Sequence, residues 1–295
     1  AFMRVDTKEA DLFCASYQNR NANVAHLCRE CHCPTSESDD HLRTDRAKTQ
    51  NEIAKLVQKE DLTALRAMSQ HCILNAFYGI QFGFHNEMGV HGACPMEMLH
   101  AIYLGIFKRV RDVFFEQVGL TSKSAEQIDV LATLYGELYG RQSDREWPNT
   151  RFPKGIRAGK LNGKKYIGVL LCLLSAIRCN DGRKILEKRP KWRELGVVDD
   201  WILLLETLLE WQGWLNSPKM MKSDVQRAKT KHRYIMYLVR KVADRKKGMG
   251  LKLMKSHGIL HMAEAILNFG VLLQCGTGCD KSHHIDTKKA SQLAQ

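Results

Sequence analysis

The residues with the most obvious chemistry are sulfur and imidazole ligands near the start of the chain. The stretch "CASYQNRNANVAHLCRECHCP" carries Cys14, Cys28, Cys31 and Cys33, with His26 and His32 inside it and His41 shortly after. Cys28 and Cys31 have the C-x2-C spacing at which one tight turn presents two thiolates to a single tetrahedral ion. Cys14 is expected to supply a third thiolate, and Cys33, His41, His26 or His32 the fourth ligand. The pattern points to structural zinc, because nothing in it suggests an open coordination position. The plainer alternative is a set of unliganded buried thiols.

Two other clusters could do chemistry. "HGILH" puts His257 and His261 at i, i+4, with Glu264 one turn further along the same face. Such a pair can form a metal face. No Glu adjoins the first His as in H-E-x-x-H, however, and local capping or hydrogen bonding is the preferred reading of both rings. The C-terminal "CGTGCDKSHHIDTKKASQLAQ" places His283 and His284 between Asp280 and Asp286. Asp6 closes the strand-like "FMRVDT". Two-metal phosphoryl transfer draws carboxylates from distant points of a chain around a pair of Mg²⁺ ions, and Asp6 is placed like one of them. A lone Asp there also serves simply as a helix cap.

The elements that must position these residues are mostly helices. Residues 2–6 read as a short strand, 8–17 as a helix and 18–45 as loop. Pro95 and Glu97 mark a helix start, since Pro is tolerated in a first turn and an acid suits the N-terminal dipole. Leu99, Ile102, Ile106, Val110 and Val113 then fall on one face. Trp201, Leu204, Leu208, Trp211 and Leu215 form a second core stripe. "EWPNTRFPKGIRAGKLNGKK" reads as a long basic loop between helical halves. The chain is expected to be mostly α with minor β. Residues 1–45 would be a core strand and helix with a zinc-knuckle-like loop, 46–265 a helical region with a basic surface, and 266–295 a C-terminal core helix.

Composition sets the partner class. Of 295 residues, 44% are apolar, enough for a real core. The longest apolar run, "IGVLLCLLSAI", is far short of the about 20 residues that span a bilayer, so it reads as a buried helix and no membrane is expected. No signal pattern opens the chain, and its start mid-strand suggests part of a longer protein. Ten cysteines without a secretory signal argue for reduced thiols, with Cys72, Cys94, Cys172 and Cys179 as small core residues. The net charge is +13, and residues 219–255 hold 13 Lys/Arg against two Asp, a local +11. Charge so localised suggests a polyanion, most often nucleic acid. Lys229, Lys231, Arg233, Arg240, Lys241, Arg245, Lys246 and Lys247 are the expected phosphate contacts. The alternative is a solvated basic helix face.

Several collinear segments together resemble the Plavaka-like transposases, relatives of the CACTA-type DDE transposases. They are "VDTKEADLFC", "NVAHLCRECHCPT", "GVHGACPMEMLHAIYLGIFKRVRD", "RFPKGIRAGKLNGKKYIGVLL", "KHRYIMYLVRK", "GMGLKLMKSHGILHMAEAILNFG" and "TGCDKSHHIDTKKA". The resemblance implies a partial RNase H-like α/β core interrupted by a large helical insertion, and cutting and joining of DNA with Mg²⁺ or Mn²⁺. It implies that Asp6 corresponds to the second of three acids and that Cys14, Cys28 and Cys31 form the family's knuckle. The first acid would lie upstream of Ala1. Lys281 stands where the third acid is expected, with Asp280 beside it, so little or no catalysis is expected from this chain alone. The resemblance also implies a nuclear location and allows a homo-oligomer. The competing reading is a non-enzymatic, domesticated zinc-containing DNA-binding protein. An RNA-binding module ranks below both, because no RNA-recognition signature is present.

Overall fold

The computed structural model describes residues 7–17, 24–82, 87–140, 148–157, 159, 161–244 and 250–272. Asp6, Asp280, Lys281, His283, His284, Arg245, Lys246 and Lys247 lie outside these residues, as does the strand expected at 2–6. The described residues are mostly helical, as the sequence implies. Their only β pairing is two isolated antiparallel bridges, Ser16 with Gln70 and Cys31 with Ala47.

The chain divides into two units. Unit 1 takes residues 1–101, 216–233 and 252–295, and unit 2 takes 102–215 and 234–251. Residues 46–101, expected with the helical region, therefore group with the knuckle.

Unit 1 contains α1 (Thr7–Phe13), α2 (Gln50–Gln58) and α3 (Leu62–Ala67). Side-chain caps start α2 and α3. The Thr49 hydroxyl accepts from Glu52 N at 3.3 Å, and the Asp61 carboxylate from Ala64 N at 3.0 Å. Each satisfies one N–H that the first turn leaves without a helical partner. Ile53, Val57 and Leu65 then bury a small core. Pro95 does not open the next helix. The chain instead winds as a π-helix over Met98–Phe107, and Glu97 caps it, accepting from Leu99 N at 2.9 Å and His100 N at 2.7 Å.

Unit 2 holds α4 (Lys108–Val118), α5 (Lys123–Tyr139), α6 (Lys165–Arg178), α7 (Asn180–Leu186) and α8 (Val197–Leu215). α9 (Lys222–Val242) contributes residues to both units. The α8 stripe read from the sequence is fully inside: Trp201, Leu204, Leu208, Trp211 and Leu215 are all buried. Phe114 packs edge-on against Trp192 at 5.2 Å and Trp201 at 5.1 Å. Gln117 joins this aromatic group to the chain. Its backbone carbonyl accepts from Trp192 Nε1 and its side-chain oxygen from Trp201 Nε1, both at 3.4 Å, while its amide donates to Val242 O at 3.0 Å. Both indole donors are thereby satisfied inside an apolar core, where an unmade hydrogen bond costs about 1–3 kcal/mol.

The loop before α6 is pinned, not loose. Asp129 on α5 accepts from Ile156 N at 2.6 Å and Arg157 N at 3.1 Å, and Gly155 at φ +77° lets the backbone turn onto that carboxylate. Of the four single cysteines expected in the core, Cys94 and Cys172 are buried. Cys72 is exposed, a correction, because it sits in an irregular stretch after α3. Cys179 is half-buried and caps α7, its sulfur accepting from Gly182 N at 3.3 Å.

The chain returns to unit 1 with α10 (Met254–His257), a 3-10 turn at Gly258–His261 and α11 (Met262–Phe269). These three short elements follow without a break and carry the second half of the site. None of the described helices is long and apolar enough to cross a membrane.

Candidate metal centre

The loop from Cys28 to Cys31 is shaped by backbone bonds. Glu30 N donates to the Cys28 sulfur at 3.4 Å, which turns the chain so that both sulfurs face the same side. The short segment 46–48 backs the turn. His32 N donates to Arg46 O at 3.0 Å, and Lys48 N to Glu30 O at 2.9 Å. The Lys48 side chain is wholly buried and donates to Cys28 O at 2.8 Å and Met68 O at 3.2 Å. Burial lowers its pKa. Arg29 points the other way. It donates to Cys94 O at 2.9 Å and lies 3.5 Å from the buried Asp11 carboxylate. Two buried cations thus back the knuckle, Lys48 through carbonyls and Arg29 through the Cys94 carbonyl and its ion pair with Asp11, while Arg29 Nε makes no hydrogen bond.

The other half arrives from the far end of the unit. His257 ends α10, and its Nε2 lies 3.2 Å from Cys31 Sγ across 226 residues. His261 ends the 3-10 turn, with its Nε2 3.4 Å from Cys28 Sγ across 233 residues. The two Nε2 atoms are 3.2 Å apart. The four ligand atoms all lie within 4.8 Å of one another, with three of the residues buried and His261 nearly so. His257 Nδ1 faces Ser38 O at 3.1 Å. Donation to that carbonyl fixes the tautomer and leaves the Nε2 lone pair aimed inward, the usual outer-shell arrangement of a metal-bound histidine.

These donors fit zinc. Zn–S bonds near 2.3 Å and Zn–N bonds of 2.0–2.1 Å imply tetrahedron edges of about 3.3–3.8 Å. Of the close contacts, Cys28–His261 at 3.4 Å falls in that range, and Cys31–His257 and His257–His261, both at 3.2 Å, fall just below it. Two thiolates and two imidazoles favour a soft, tetrahedral ion and form a closed set, which is the structural kind. The charges fit as well. Without an ion, burial drives the Cys28 thiol upward, but its contacts with Cys31, His261 and His257 hold it well below an ordinary thiol. Burial likewise opposes charge on His261, yet the facing Cys28 and Glu30 push it up to about 9. Cys31 moves the opposite way and stays protonated, chiefly because its hydrogen bond to Cys28 favours the thiol. The pocket therefore stabilises one thiolate and a proton at His261, the proton that an ion displaces on binding.

The sequence-derived ligand set needs correction. Cys28 and Cys31 are in the group, but Cys14, Cys33 and His41 are not. α1 buries Ala10 among Phe82, Ala93 and Cys94, and Cys14 follows the same side. Its sulfur donates to Val90 O at 3.4 Å, and a hydrogen bond with Cys94, together with burial, keeps it protonated. Cys33 packs beside the knuckle with Met254 and donates to Pro34 O at 3.5 Å. Burial pushes its thiol up to about 12. His26 Nδ1 lies 3.0 Å from Cys33 O, and His32 pairs with Glu52 at 3.3 Å. The missed ligands, His257 and His261, are the pair for which local hydrogen bonding was preferred. Their i, i+4 spacing was the available signal.

Of the expected phosphate contacts, Arg240 and Lys241 are exposed, whereas Lys229, Lys231 and Arg233 are half-buried. Lys229 pairs with Glu264, and Lys241 with Asp200 at 2.8 Å.

No family model, curated protein or solved structure matches this chain.

Proposed function

We propose that this chain is a zinc-stapled DNA-binding polypeptide of Plavaka-like transposase type, whose family reaction is metal-dependent DNA strand cleavage and transfer. The supporting observation is the meeting of Cys28 and Cys31 with His257 and His261. Two segments that separately carry the resemblance, "NVAHLCRECHCPT" and "GMGLKLMKSHGILHMAEAILNFG", converge on one metal-ligand set. Segments selected only by chance similarity have no reason to complete each other's coordination. In this reading zinc builds the scaffold, and the lysines and arginines of residues 219–255, a local +11, bind phosphates. The scaffold belongs to an RNase H-like core, and the location is the nucleus.

Strand chemistry would need Mg²⁺ or Mn²⁺ and three acids. By the resemblance, Lys281 takes the third acid's position, and an ammonium there would repel the cation. The chain alone is therefore a binder that does not cut.

The test is a salt titration of duplex DNA binding. Each neutralised phosphate releases counterions, so log K should fall steeply and linearly with log salt. A flat dependence contradicts the reading. A nicking assay with Mg²⁺ or Mn²⁺ checks the second part, and robust cleavage by the 295-residue chain would contradict it.

A further inference from the structure

α9 carries a pair of tyrosines that the reading above does not use. Tyr234 and Tyr237 sit one helical turn apart, 43% and 40% exposed. Their rings lie 6.3 Å apart and 27° from parallel, within the range in which aromatic pairs hold one another. They share the solvent face with Arg240 and Lys241, one turn on, while Ile235, Met236, Leu238 and Val239 fill the opposite, buried face. The apolar face of α9 is thus already saturated, and the core does not need these rings. Lys241 is held beside Asp200 at 2.8 Å, which keeps an ammonium next to the aromatic pair.

We infer that Tyr234 and Tyr237 form a stacking platform for the unpaired bases of a single-stranded segment of DNA, with Arg240 and Lys241 taking the adjoining phosphates. The inference rests on the DNA-binding reading and adds which form of DNA this face engages. In a duplex the π-faces of bases are covered by their neighbours, so exposed rings gain nothing from it beyond contact. An unpaired base offers its face, and stacking on an aromatic side chain tolerates any base. The basic residues supply the backbone attraction that such platforms combine with stacking. Because the two rings already lie against each other, little side-chain freedom is lost when a base arrives. A protein partner is the alternative occupant of an exposed aromatic pair. The charge on the same exposed face, Arg240 and Lys241 with Asp200 paired to Lys241, favours a phosphodiester strand.

The experiment measures binding of the full chain to a fluorescent 20-mer of thymidine and to a duplex of mixed sequence. Wild type is compared with Tyr234→Ala/Tyr237→Ala, with the double Phe variant and with the double Leu variant. Thermal unfolding by circular dichroism checks that each variant is folded. The Ala pair should weaken single-strand binding at least about tenfold and leave duplex binding within about twofold, while Phe restores the single-strand affinity and Leu does not. A parallel loss on both DNAs, no loss on either, or equal rescue by Leu would overturn the platform while leaving the DNA-binding reading standing. Failure of the wild type to bind either DNA would overturn both.

Discussion

At the residue scale, the paired charges of the metal-free site have a pH signature of their own. His261 is raised from 6.5 to about 9, so its share of stability is complete below pH 6.5 and lost as pH rises through about 9. Cys28 is lowered from 9.0, so its share is present above pH 9 and lost as pH falls through its depressed value. At pH values above both 6.5 and the depressed Cys28 value and below about 9, the native state binds one proton more at His261 and one fewer at Cys28 than the unfolded chain. The two slopes cancel there. Urea unfolding of the chelated protein should therefore give a plateau below pH 9, with stability falling as pH drops through the depressed Cys28 value. A rise that continues all the way to pH 9 would contradict the pairing. With zinc bound the sign is simpler: protons compete for every ligand, so metal retention falls as pH drops. Half of this site is legible locally, because C-x2-C is a short-range signal carried by a single turn. Nothing near His257 or His261 announces that their partners lie more than 200 residues back. Cys14, close in sequence, is taken elsewhere by the apolar side of α1, so proximity along the chain pointed to the wrong sulfur.

At the element scale, the seating of the 148–157 loop against α6 depends on the backbone passing close. A Cβ added at Gly168 on α6 would come within 2.0 Å of Asn149 O, a backbone atom that cannot swing aside. Gly168→Ala should destabilise by about 1–3 kcal/mol, the usual cost of overpacking. Thermal or urea unfolding would detect it, and a neutral result would mean that the 148–157 loop is not seated there. Phe114→Ala removes the ring at the centre of the Trp192 and Trp201 group, and about 3–5 kcal/mol should be lost. The α8 core stripe was readable because the 3.6-residue period needs no tertiary information. Glu97 at that helix start was readable too, but the π-winding of Met98–Phe107 was not, since Pro95 reads equally well as a first-turn residue. Cys72 shows the same limit: cysteine is usually buried, but its own stretch has no regular structure to face a core.

At the scale of the whole molecule, zinc would tie the first segment of unit 1 to its last, closing more than 200 residues of chain. Loop-closure entropy alone puts such a cross-link at about 5 kcal/mol in the unfolded-chain picture. Chelation should lower the unfolding midpoint of unit 1 strongly, and reconstitution with zinc should restore it. The division into units was only partly legible, because residues 46–101 share their helical pattern with unit 2 and are separated from it by contacts alone. The most direct test of the account is zinc content per chain, measured on purified wild type, His257→Ala and Cys14→Ser. The account predicts about one zinc in the wild type, an unchanged value in Cys14→Ser and near-complete loss in His257→Ala, as a Cys28–Cys31–His257–His261 site requires. Zinc lost from Cys14→Ser but kept by His257→Ala would contradict it, and would place the metal on the three amino-terminal thiolates instead.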